Sequence, residues 1–111
     1  MDQPNLFEKT KKTEEIEKIF LYALGEFQSR GKVLAERELP LDRLRGAFKR
    51  ASEKFEIEEF SDEKIAENLE KLGSKVVKVP SFVAKHPFRV TVSKDLAERS
   101  SEFYKELLKN D

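Results

Sequence analysis

SDEKIAENLEKLGSKVVKVPSFVAKHPFRVTV, residues 61–92, changes its apolar period half-way along. Ser61 has the side chain of an N-cap, Asp62 and Glu63 suit the positive end of a helix dipole, and Ile65, Leu69 and Leu72 recur at helical spacing until Gly73. From Lys75 the period becomes two: Val77 and Val79 alternate with Lys78, then Phe88, Val90 and Val92 alternate with Arg89 and Thr91. The spacing predicts a short helix followed directly by a β-hairpin. Pro80 and Pro87 cannot donate to a central ladder, which leaves residues 81–86 as the hairpin loop.

Upstream, Thr13 reads as an N-cap for a helix whose apolar face is Ile16, Ile19, Phe20, Ala23, Leu24 and Phe27, with Gly31 as its stop. Residues 1–12 lack apolar periodicity and read as a flexible arm, leaving 13–111 as one domain. Lys32 to Leu39 reads as a loop with a short extended piece near its end, and Pro40 fits the first turn of a second helix. Leu41, Leu44, Ala47, Phe48, Ala51 and Phe55 form that helix's stripe, and Gly46 within it is a candidate for close packing. Downstream, Ser93 caps a last helix, residues 94–109, striped by Leu96, Ser100, Phe103 and Leu107 and widened by Ala97, Tyr104 and Leu108. The expected class is mainly α with a β-hairpin, an α+β domain.

The 111 residues include 22 basic and 22 acidic side chains, one His, no Cys and no Trp. Disulfides, thiol catalysis and cysteine-zinc sites are thereby excluded, and a single His excludes the His pairs of most zinc enzymes. Neither a nucleophile elbow nor a phosphate-binding Gly loop is present, and Ser100 and Ser101 have no local base partner. The expectation is a non-catalytic protein without cofactor or metal. No apolar run approaches the roughly 20 residues of a membrane span and no secretory leader is visible, which sets a cytoplasmic expectation with no membrane partner. Glu (17) and Lys (15) dominate the charges, a bias associated with proteins from hot habitats.

Three helices, a hairpin directly after the third, and one additional helix form an order that resembles the winged helix-turn-helix superfamily. The resemblance covers roughly Thr13 to Val92, with a short strand near Leu39 as the first strand. It implies that the third helix reads a DNA major groove and that the hairpin is a wing contacting the backbone or minor groove. A DNA-binding regulator of transcription, or an accessory protein of a DNA transaction, is the function so implied. The connection from Glu56 to Phe60 departs from the pattern, being longer than the tight turn of typical members.

Zero net charge conceals segregation. Arg43, Arg45, Lys49, Arg50 and Lys54 against Glu53 make the second helix basic, and Glu56 to Glu70 is strongly acidic. Then Lys71, Lys75, Lys78, Lys85, Arg89 and Lys94 occur without an Asp or Glu among them. A basic β-ribbon neutralises phosphates and releases counterions, so Lys71, Lys75, Lys78, Lys85 and Arg89 are candidate nucleic-acid contacts. The competing reading is a solvated hairpin whose lysines protect an edge strand. On the third helix the face opposite Ile65 and Leu69 carries Glu63, Glu67 and Glu70, with Lys64, Asn68 and Lys71 on one flank. A groove-bound helix would have to tilt to present that flank, with Asn68 able to read adenine; the competing reading of Asn68 is an ordinary exposed residue. The alternative is a protein-interaction domain in which Glu63, Glu67 and Glu70 meet a basic partner. His86 reads as an ordinary exposed residue and Phe82 as packing under its loop. Phe103, Tyr104 and Leu108 widen the last helix's apolar arc, which leads to the expectation of a homodimer; packing against Ile16, Phe20 and Phe27 is the competing account.

Overall fold

The computed structural model describes the backbone of residues 3–80 and 88–110 and the side chains of residues 14–80 and 88–109. Among these, four helices and a three-stranded antiparallel sheet form an α+β architecture compatible with a winged-helix-like arrangement. In chain order the elements are α1 (Gln3–Ser29), β1 (Glu38–Pro40), α2 (Asp42–Lys54), α3 (Asp62–Lys71), β2 (Lys75–Lys78), β3 (Phe88–Thr91) and α4 (Lys94–Asn110).

The core is built on α1, where Phe20, Ala23 and Leu24 are wholly buried and Ile19 and Phe27 nearly so. From α2 it receives Leu44, Ala47, Phe48 and Ala51, from α3 Ile65 and Leu69, from the sheet Leu39 and Val90, and from α4 Leu96 and Ala97. The Phe20 and Phe48 rings meet edge to face at 4.7 Å, and Phe60 reaches Phe20 at 5.3 Å. Phe60 thus anchors the long α2–α3 connection to the core.

Two neighbouring positions of α1 fix its partners. Gly25 lies where α1 crosses α4: a Cβ there would overlap the Ser100 carbonyl oxygen and the Tyr104 Cβ. Around this crossing Gln28 Nε2 donates to the Ala97 carbonyl at 2.8 Å, Arg99 pairs with Glu17 at 2.9 Å, and the Tyr22 and Tyr104 rings meet at 5.3 Å. Glu26, one residue on, is turned about 100° around the helix and faces α2. Its buried carboxylate accepts two bonds from Arg50, at 2.7 and 2.9 Å, and one from Arg30 at 2.9 Å. Burial pushes this carboxyl up, yet the hydrogen bonds from Arg50 and Arg30 outweigh it and hold the group below its ordinary value. Hydrogen bonding to Glu26 raises Arg50 in turn.

Several elements differ from the sequence expectation. α1 begins at Gln3, ten residues before the expected cap at Thr13. Periodicity detects burial, whereas Glu, Lys, Gln and Leu in residues 3–12 sustain a helix by intrinsic propensity. Pro40 ends β1 instead of starting α2; because β1 is an edge strand, its missing N–H costs no ladder bond. Gly46 is exposed and approaches only the Arg50 side chain, so Gly25, and not Gly46, is the close-packing glycine. In α4 Phe103 and Tyr104 are half-buried in the same chain, while Leu108 is 52% exposed.

The sheet order is β1-β3-β2. Val76 pairs with Val90 and faces the core, whereas Val77 is exposed opposite Arg89. The expected phase of β2, with Val77 inward, is thus displaced by one residue, because adjacent valines satisfy either phase and only the cross-strand partner decides.

Two predictions follow the packing. Gly25→Ala gains about 1 kcal/mol in helix propensity but forces backbone apart, for a net loss of about 2 kcal/mol, while Gly46→Ala is stabilising by about 0.5–1 kcal/mol. Urea unfolding of both variants measures the opposite signs. Glu26→Gln costs about 2 kcal/mol at pH 7, less than a fully buried pair because Arg50 is 38% exposed and rehydrates. A depressed folded-state pKa stabilises above the ordinary value near 4.5 and loses that contribution as pH falls through the folded value. The stability gap between parent and variant therefore closes in acid, as unfolding at pH 7 and at successively lower pH checks.

Candidate nucleic-acid interface

α3 starts where Ser61 Oγ accepts the Lys64 amide at 3.2 Å, and it ends at Gly73 in the left-handed region, φ 99°. Arg45 of α2 lies 3.4 Å from Asp62 and ties the start of α3 to α2. Leu69 O accepts the Ser74 amide at 2.9 Å, which directs the chain straight from α3 into β2. Helix and strand are therefore joined by a turn too short to let the hairpin wander. α3 packs against both β2 and β3, so the expected reader helix and the expected wing are contiguous.

The candidate residues fall into three groups. Lys75 and Arg89 share the outer sheet face: Lys75 is opposite Thr91 and Arg89 is opposite Val77, making the two cations diagonal neighbours, about 7–8 Å apart by strand geometry. Arg89 is half-buried on the central strand, flanked by Pro40 and Val77. Lys78 projects from the opposite face of β2 and lies over the Phe88 ring, 5.7 Å from its centroid. The hairpin cations are thus divided between two faces. Because β2 is an edge strand, Lys75 and Lys78 also oppose pairing with another chain.

On α3, Lys64 and Lys71 are exposed, with Lys71 3.8 Å from Glu67. That pair, 69% and 65% exposed, is a weak surface interaction that leaves the lysine available. Asn68 is half-buried, and its Nδ2 donates to the Lys64 carbonyl at 2.9 Å. That bond occupies one of the two amide hydrogens and holds the side chain along the helix, so a bidentate base contact has only Oδ1 and the other hydrogen to use. Glu63, Glu67 and Glu70 are exposed, as the helical spacing predicts. Lys85, His86 and Phe82 lie outside the described residues.

Sequence reasoning missed Arg45, counted only as part of a basic helix, and Val77, assigned to the core. Sequence gave no signal for the Arg45 contact, since its partner is on another element. Among the described residues no group of three His, Asp or Glu is placed to share a metal ion, and no helix is long and apolar enough to cross a membrane.

No family model, curated protein or solved structure matches the chain.

Ser74, at the α3–β2 junction, is 5% exposed and its Oγ has no hydrogen-bond partner among the described residues. An unsatisfied buried hydroxyl carries a desolvation cost of about 1–3 kcal/mol. Ser74→Ala is expected to raise stability by about 1 kcal/mol, measured by urea unfolding, with β2 unmoved.

Proposed function

We propose that this protein is a non-catalytic nucleic-acid-binding module of winged-helix type, a DNA-binding regulator or an accessory protein of a DNA transaction. The observation that carries the reading is the basic hairpin, free of Asp and Glu from Lys71 to Lys94, mounted directly beside α3. Lys75 and Arg89 on the outer sheet face, with Lys71 at the end of α3, supply the phosphate contacts. The acidic stripe of α3 is turned aside, and its Lys64, Asn68 and Lys71 flank approaches the duplex. Contacts of this kind position the protein more than they select a sequence.

The second reading is capture of a basic protein partner by Glu63, Glu67 and Glu70. It is favoured by Glu63 and Glu70, which are exposed and make no ion pair among the described residues. Salt titration of labelled duplex separates the two. DNA binding predicts affinity that falls steeply with salt, and Lys75→Ala with Arg89→Ala weakens it on all sequences alike and lowers the log–log salt slope by about 2. The double charge reversal Glu63→Lys with Glu67→Lys strengthens duplex binding in the first reading and abolishes partner capture in the second. No binding at low salt, or binding indifferent to salt, contradicts the DNA reading.

A further inference from the structure

At the C-terminal end of α1 the chain turns through Gly31, φ 81°, toward β1. Between this turn, β1 and the first turn of α2 lies an open concavity of about 250 Å³. Its apolar wall consists of Phe27 and Leu39, both core residues, and Val33, which at 60% is the most exposed large apolar side chain among the described residues. Its polar wall consists of Lys32, Arg37 and Arg43. Lys32 and Arg37 come from the α1–β1 connection and Arg43 from α2, and the fold brings them to one small space.

The three cations make no ion pair among the described residues, as is also true of Lys64, Lys75 and Arg89, but Lys32, Arg37 and Arg43 line one concavity together. Glu36 and Glu38 flank Arg37 in sequence, but neither lines the concavity. Like charges gathered against an apolar wall repel one another and raise the local positive potential, a cost that a bound anion reverses. Guanidinium groups also hold carboxylate and phosphate oxygens in paired, directional bonds. Val33 and the floor beneath it give such a ligand somewhere to place an apolar part, and the volume is below that of sites for drug-sized molecules.

We propose that this concavity is a binding site for a small organic anion, a single carboxylate or phosphate group on a compact apolar body. Lys32, Arg37 and Arg43 meet the anionic group, and Val33, Phe27 and Leu39 meet the body. The site shares no residue with α3 or the hairpin, so it stands independently of the DNA reading.

The test uses the isotope-labelled full chain and three probes: phenyl phosphate, inorganic phosphate and benzamide. Phenyl phosphate is expected to move the amide resonances of Gly31, Lys32, Val33 and Leu39 saturably in the millimolar range. Inorganic phosphate and benzamide, each lacking half of the recognition, bind at least about fivefold more weakly. Arg37→Ala and Arg43→Ala each weaken phenyl phosphate about tenfold, and Val33→Ser weakens phenyl phosphate while leaving inorganic phosphate unchanged. Retained resonances elsewhere in each variant show that it is folded. The proposal is overturned if phenyl phosphate gives no saturable shift at these amides, if either control probe binds as tightly, or if the arginine variants bind unchanged.

Discussion

The approach of α1 to α4 at Gly25 is the constraint on which the remaining packing depends. Backbone meets backbone there, because a single methyl would overlap the Ser100 carbonyl and Tyr104. Once α4 is seated so closely, Leu96 and Ala97 enter the core and Gln28 reaches the Ala97 carbonyl. The same helix then has its other side fixed by Glu26, whose carboxylate holds Arg50 on α2. One turn of α1 thus sets two neighbours by different means. Shape sets α4, and a directional charged bond sets α2. A buried ion pair adds less net stability than its Coulomb energy suggests, since both charges lose water, but it does fix which face of α2 meets α1.

From that scaffold the rest is placed in sequence. α2 and Arg45 hold the start of α3, Phe60 pins the intervening connection on Phe20, and the α3–β2 turn feeds the hairpin with no slack. β3 pairs with both other strands and carries Val90 into the core, so the outer sheet face is held by the inner one. Lys75, Val77 and Arg89 share that outer face through register alone. A slip of one residue in β2 would bury Val77, turn Lys75 inward and separate the two cations.

The legible parts of the fold were those with local chemistry. Ser61 caps α3 with its hydroxyl, Gly73 and Gly31 close α3 and α1 at positive φ, and Ser93 Oγ accepts the Leu96 amide at the start of α4. What escaped reading depended on partners far along the chain. Gly25 is an ordinary helical glycine until Ser100 is placed against it, and Glu26 is one of 17 glutamates until Arg50 arrives. Pro40 satisfies two local rules at once, first helical turn and edge strand, and only the pairing with Arg89 chooses between them. Adjacent Val76 and Val77 likewise left the phase of β2 to its neighbour. For the candidate site, the sequence placed Lys71, Lys75, Lys78 and Arg89 near one another but not on which face, and it treated Asn68 as free when its amide is engaged with Lys64.

The central claim is that the outer face of the hairpin is the surface that meets duplex DNA. A photo-activated crosslinker at Val77, exposed between the cations, tests it against the same group at Leu108, exposed on α4. The account predicts salt-sensitive crosslinking of duplex DNA from position 77 and almost none from position 108. Equal yields from the two positions, or a yield from position 77 that persists at high salt, would contradict it.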